Sequence, residues 1–234
     1  MIRAVIFDFN GVLVDDEPLH FALFREVLGQ EGVLITEDDY HNRYLGLDDR
    51  GCFEAALVDG GQSAGSERVV ELIARKARRY LQEAGLGLRF FSGASECLAD
   101  LAGRWPLAIN SGALLPEIEL ALKLIDRRDR VEVIVSAEQT ERCKPDPQGY
   151  TLALEGLRKR GGPLADLPAS ACLVIEDSLA GIESAKGAGM WAVGVPNTYP
   201  EADLRRAGAD DVVTGLPQFN PEWIAGRFSA TAPR

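Results

Sequence analysis

Four short segments of this chain each deliver polar or charged groups after an apolar run. Val5-Ile6-Phe7 stops at Asp8, followed by Phe9, Asn10 and Gly11. Leu107-Ala108-Ile109 runs into Asn110-Ser111-Gly112, and Cys172-Leu173-Val174-Ile175 into Glu176-Asp177-Ser178. Val131 to Val135 is followed, after a loop, by Lys144-Pro145-Asp146-Pro147. Short apolar runs of this kind read as buried parallel strands, and ligands of open α/β sheets bind outside the carboxyl ends of the strands. A carboxylate, a hydroxyl, a lysine and an acidic pair therefore meet at one sheet edge. That set suits phosphoryl transfer, in which positioning and charge compensation supply most of the catalysis. Singly, each segment has a plainer explanation. An Asp or a Ser-Gly after a strand closes a turn, an acidic pair before Ser178 suits a helix N-terminus, and a loop lysine is ordinarily solvated. The joint occurrence argues for chemistry.

The elements that hold these groups follow from periodicity. Pro18 opens a helical pattern in which Leu19, Leu23, Val27 and then Phe24, Leu28 share one face, closing near Gly32. Thr36 with Asp39 predicts an N-cap pair for a second helix. Gly46 and Asp48-Asp49-Arg50 predict a break, Phe53, Leu57 and Val58 a third helix, and Gly60-Gly61 its end. Ser66 is expected to cap a long fourth helix through Val69, Val70, Ile73, Ala77 and Leu81 to about Ala84. From Gly93 onward helices over 94–103, 116–125, 147–160 and 178–188 alternate with strands at 107–109, 131–135, 171–175 and 192–195. A short last strand follows near Val212-Val213. Such alternation requires a parallel sheet with helices on both faces. The expected fold is α/β: a doubly wound, Rossmann-like parallel sheet core (residues 1–15 and 87–228), an inserted all-helical cap (16–86) and a frayed tail (229–234).

Composition narrows the function. The chain has 234 residues, of which 46% are hydrophobic and 26% charged, as in an ordinary globular protein. With no apolar stretch of about 18 residues and no signal-peptide pattern, a cytoplasmic protein without membrane partners is expected. The net charge of −11 argues against nucleic acid, which needs a basic stripe. Cys52, Cys97, Cys143 and Cys172 lie far apart without metal-site spacing, so reduced and mostly buried thiols are expected. With only two histidines as well, any metal must take oxygen ligands. An acidic protein that handles phosphate needs local compensation, which magnesium and Lys144 would supply.

In order and spacing the four segments resemble the four motifs of the haloacid dehalogenase superfamily, most closely its β-phosphoglucomutase-like phosphatases. The resemblance spans roughly residues 1 to 215, with Glu176-Asp177-Ser178-Leu179-Ala180-Gly181 through Met190 as the longest match. It implies a magnesium-dependent phosphatase of small phosphorylated metabolites such as sugar phosphates, working through an aspartyl phosphate on Asp8. Asp8, the backbone carbonyl of Asn10 and Asp177 would be the metal ligands, with Glu176 ligating through water or orienting the others. Ser111 would bind a phosphoryl oxygen, aided by its neighbours Asn110 and Gly112, and Lys144 would pair with Asp8 and the phosphoryl group. His20, Arg50 and Lys76 match positions that contact substrate or the acid–base residue in some relatives, although the Arg75–Arg79 run also reads as a solvated helix face. The partner is a small phosphorylated metabolite, and a monomer or weak dimer is expected.

The sequence departs from that pattern at Asn10, where relatives carry a second Asp acting as general acid and base. An amide does not titrate near neutral pH, and the assistance it forgoes is worth about 10² to 10⁴ in rate. Slowed turnover is expected. A catalytically impaired homologue that binds a phosphorylated ligand, or a phosphomutase, are the alternatives. A dehalogenase is disfavoured because the acidic pair Glu176-Asp177 is present. Among Asp15, Asp16 and Glu17, one can stand in as a weak acid or base, but their hinge position favours helix capping.

Overall fold

The computed structural model of the protein describes residues 1–228, so the expected frayed tail lies outside the described residues. Six strands form one sheet: β1 (Ala4–Phe7), β2 (Leu107–Asn110), β3 (Val133–Val135), β4 (Cys172–Glu176), β5 (Trp191–Gly194) and β6 (Asp211–Val212). Their order is β3-β2-β1-β4-β5-β6 and every pair is parallel. The expected doubly wound sheet is thus present. The strand order reverses at β1, which creates the crevice beside β4 where such sheets bind ligands. Phe7 pairs with both Ile109 and Ile175. The residues that follow, Asp8, Asn110 and Glu176, therefore leave the sheet side by side.

Both faces of the sheet are covered, which explains why β1 and β4 are apolar without alternation. Val5 and Phe7 enter one core with Leu101 and Ile118, while Ala4 and Ile6 enter another with Tyr150 and Leu157. Complete burial of a side chain such as Phe7 is worth about 1.5–3 kcal/mol, enough to keep Asp8 from drifting.

Five helices lie between β1 and β2, the first four being α1 (Glu17–Gln30), α2 (Glu37–Asp39), α3 (Asp49–Asp59) and α4 (Ser66–Leu86). They enclose their own core of Phe24, Val27, Leu28, Phe53, Leu57 and Leu72. Beyond them come α5 (Ala94–Ala102), α6 (Leu115–Leu124), α7 (Gln148–Lys159), α8 (Leu179–Gly187), α9 (Glu201–Arg206) and α10 (Pro221–Arg227). No helix among the described residues is long and apolar enough to cross a membrane.

Several local expectations change. Thr36 and Asp39 form the reciprocal cap, yet α2 has three residues before the chain tightens into a π-turn over Tyr40–Tyr44. The break expected at Asp48-Asp49-Arg50 is instead the start of α3, because the Asp48 side chain accepts from the Gly51 amide at 2.8 Å. Gly65, not Ser66, occupies the cap position of α4 and no side chain caps it. The sequence pattern missed α9 and α10, which are too short to show a helical period. Cys52, Cys97 and Cys172 are buried free thiols, whereas Cys143 is exposed.

Lys76 is the largest correction. The Arg75–Arg79 run reads as solvated, but Val69, Leu72, Lys76 and Tyr80 share the buried face of α4 and Lys76 has no exposed surface. Its ammonium donates to Asp49 Oδ1 at 2.5 Å and to His20 Nδ1 at 2.8 Å, and lies 4.5 Å from the centroid of the Phe24 ring. Removing one partner of a buried ion pair strands the other, at a cost of about 3–5 kcal/mol. Lys76→Ala is therefore expected to lower unfolding free energy by about that amount in denaturant titration. A loss below about 1 kcal/mol would mark the pair as a solvated one.

Candidate active site

Asp8 emerges from β1 into a cavity of about 160 Å³ at the carboxyl edge of the sheet. Asn10, Ser111, Lys144 and Asp177 line it from the core side, and His20 from α1. Asn110 and Gly112 line it as well. The four separated segments thus converge on one place.

Lys144 ties the site together. Its ammonium donates to Asp8 Oδ1 at 2.7 Å and to Glu176 Oε1 at 2.5 Å. Burial opposes that charge, but Asp8 and Glu176 hold the ammonium above its ordinary range. The same burial pushes the Asp8 carboxyl up to about 7, against the pull of Lys144. Asp177 is raised well above the usual carboxylate range, by burial first and then by the Asp8 and Glu176 charges. Three carboxylates crowd one lysine. The site holds more negative charge than it can compensate.

Oxygens of Asp8, Glu176 and Asp177 lie within 4.8 Å of one another, an all-oxygen donor set that suits a hard divalent cation. The three differ in availability. Glu176 is fully buried: Oε1 takes Lys144 and the Tyr150 hydroxyl, and Oε2 takes the amides of Asp177 and Ser178 and the Ser178 hydroxyl. A carboxylate so engaged positions its neighbours. Asp177 is steadied by the Thr198 hydroxyl, and Asn197 holds the Gly11 carbonyl at 2.7 Å. Tyr150, Asn197 and Thr198 belong to no motif that sequence reasoning could find. Only their position in space recruits them.

Two glycines make room for these carboxylates. A Cβ on Gly181 would stand 1.9 Å from the Glu176 carboxyl carbon, and one on Gly11 would stand 2.0 Å from Asp177 Oδ2. Gly11 also has a φ of 75°, which side-chain-bearing residues rarely adopt. Gly11→Ala should displace Asp177 and weaken divalent-cation binding at least about tenfold, the order seen when groups orienting metal ligands are lost. Calorimetric titration with magnesium checks this, and unchanged affinity would show that Asp177 is not a ligand.

Asn10 is held at both ends. Its Oδ1 accepts from the Ser111 hydroxyl at 3.2 Å, and its Nδ2 donates to both Asp16 oxygens at 3.0 and 2.9 Å. Asp16 also accepts from the Tyr80 hydroxyl at 2.5 Å and lies 3.2 Å from His20 Nε2. Because the Lys76 ammonium can only donate, His20 Nδ1 must accept and Nε2 must carry the proton toward Asp16. Burial works against the Asp16 charge, yet His20, Tyr80 and Asn10 together hold its carboxyl below the usual range. Asp16 occupies the cap position of α1, but its side chain bonds no helix amide, so the capping expectation for it fails. Its partners compete more strongly.

Arg50 is an expected site residue that the structure leaves outside. It is half-exposed and reaches Glu54 on its own helix at 3.7 Å, while its neighbours Asp48 and Asp49 line the cavity. Lys76 does not line the cavity either and stands behind His20 and Asp49.

A family model described as haloacid dehalogenase-like hydrolase matches residues 5–195, most of the chain. The chain belongs to that family. Among relatives of this hydrolase, a phosphorylated carbohydrates phosphatase of Thermotoga maritima is 32% identical, over 89% of this chain and 92% of its own length. The chloroplastic protein SUPPRESSOR OF QUENCHING 1 of Arabidopsis thaliana is 30% identical over 88% of this chain, which spans only 19% of that longer protein. The crystal structure of β-phosphoglucomutase from Clostridium difficile superposes on the hydrolase with a TM-score of 0.83, covering 98% of each chain at 22% identity. That likeness establishes the fold.

Proposed function

We propose that the protein is a magnesium-dependent phosphatase of small phosphorylated metabolites, sugar phosphates foremost, acting through an aspartyl phosphate on Asp8. The observation that carries this reading is Lys144, which joins Asp8 to Glu176 with Asp177 alongside, at the point where strand order reverses. A phosphorylated carbohydrates phosphatase among the relatives supports the substrate class.

In the first step an Asp8 oxygen attacks phosphorus in line, the ester P–O bond breaks, and the alcohol oxygen leaves needing a proton. Lys144 and the Ser111 hydroxyl neutralise and orient the phosphoryl oxygens, with Asn110 and Gly112 forming the adjoining wall. Water then cleaves the aspartyl phosphate. Magnesium, when bound, offsets the repulsion between the phosphate and the acidic site. Asp8, Asp177 and the Asn10 carbonyl would hold it, with Glu176 fixing their positions. Asn10 can neither protonate the leaving oxygen nor activate water, so both steps are slow. The helical segment 16–86 would serve as a cap over the core of 1–15 and 87–228, bringing His20 to the cavity with Lys76 behind it.

A second reading rests on Asn10 alone: its amide complements Asp16, which suits a protein that binds a phosphorylated ligand and turns it over poorly. A screen of phosphorylated sugars with magnesium separates the two. Phosphate release that stops on chelation supports the phosphatase, whereas tight binding without release supports the second reading.

A further inference from the structure

We propose that Glu117, a buried carboxylate of the core, is a positioning residue that holds the helical insert shut over the cavity by answering the charge of Lys76. This inference rests on the reading of residues 16–86 as a cap over the phosphate site.

Glu117 sits in the first turn of α6 and is only 2% exposed. Its Oε2 accepts from the Leu114 amide at 3.2 Å, whereas Oε1 is buried without a hydrogen-bond partner among the described residues. Closing the start of α6 gives no reason for that burial, since an exposed carboxylate does the same and keeps its water. The insert supplies the reason. α6 packs against α4, and Leu120 packs with Leu23, Tyr80 and Ala84 of the insert. Residues three apart share a helix face, so Glu117 points the same way as Leu120. The groups it faces there are Lys76 and Tyr80 of α4, Asp49 of α3 and His20 of α1.

An ammonium has three protons to donate, and Asp49 and His20 take two of those on Lys76. Burial opposes the Lys76 charge, but Asp49 and then Glu117 hold it above its ordinary range. Of these two carboxylates Glu117 alone belongs to the core. Its attraction for Lys76 therefore spans the two parts of the molecule, while the bonds of Lys76 to Asp49 and His20 lie within the insert. The insert is gripped at two points: Asn10 holds Asp16 at 3.0 and 2.9 Å on one side of His20, and Glu117 draws Lys76 on the other. Burial pushes the Glu117 carboxyl up to about 7, against the pull of Lys76. Above that pH it is a counter-charge, and below it the counter-charge is lost.

Cys143 reports closure. Its thiol, in a core loop, donates to Asp48 of the insert at 3.1 Å, and partial burial of the sulfur together with that contact pushes it up to about 12. Opening the insert frees the thiol and raises the share of thiolate, the reactive form. The other three cysteines are buried. The test is the rate at which iodoacetamide alkylates Cys143 in the intact protein and in Glu117→Gln, followed by mass spectrometry of the whole chain and its peptides. The amide keeps the size of the side chain and can still accept from Leu114. Near pH 8 the variant should alkylate about threefold or more faster, and near pH 6, where Glu117 is itself protonated, the two rates should agree within about twofold. Equal rates near pH 8 overturn the proposal. The same acceleration at both pH values overturns it too, because a role in packing alone does not titrate. Hydrolysis of an activated aryl phosphate with magnesium, measured alongside, tests the phosphatase reading separately, since alkylation needs no turnover.

Discussion

Asn10→Asp raises turnover of alkyl sugar phosphates about 10²- to 10⁴-fold, the usual worth of a positioned acid–base group. The residue lies within hydrogen-bond reach of Ser111 and borders the cavity, so a carboxyl there is well placed to meet a leaving oxygen. Its surroundings also set its charge. The Asn10 amide now donates to both oxygens of Asp16, and a carboxylate in its place would oppose Asp16 directly. Two carboxylates at that distance share a proton, which raises the pKa of one and suits it to act as an acid near neutral pH. The gain should be largest for alkyl esters and small for aryl phosphates, whose leaving groups depart without a proton. Equal gains on both substrate types would show that residue 10 has no acid–base role. Peptide mapping must accompany the comparison, because the Asn10-Gly11 bond is prone to deamidation and a deamidated fraction would mimic activity.

Asp8→Ala removes phosphate release down to the uncatalysed background. No neighbour can take over the attack: Glu176 has both oxygens engaged, and Asp177 is held by the Thr198 hydroxyl. The variant should still fold, since the strand that carries Asp8 is buried through Ala4–Phe7 and owes its place to packing. Loss of activity with unchanged circular dichroism is the expected result. Hydrolysis persisting in Asp8→Ala would remove the nucleophile from the account.

The sheet was legible because β1 and β4 are too apolar for a surface and end on charged residues, a pattern that parallel pairing makes necessary. The phosphate end of the site was legible for the same reason: Asp8, Ser111 and Asp177 each sit just beyond a strand, and Lys144 follows β3 after a loop. Groups that act through space were not. Tyr150 projects from a helix onto Glu176, and Thr198 reaches Asp177 from a loop with no motif. Lys76 was hidden by its cationic neighbours, since the run Arg75–Arg79 looks solvated and only the spacing with Leu72 and Tyr80 places it inward. Asp16 illustrates competition among roles. An aspartate before a helix favours a cap, but a hydroxyl, an amide and an imidazole outcompete the helix amides.

Trapping the phosphoenzyme tests the central claim most directly. The intact protein is incubated with magnesium and an activated acyl phosphate, then examined by mass spectrometry of the whole chain and of its peptides. With Asn10 unable to activate water, the second step is slow, so the chain should gain one phosphoryl group located on Asp8. Turnover without any phosphoenzyme while Asn10 is intact, or a phosphoryl group found on another residue, would contradict the account.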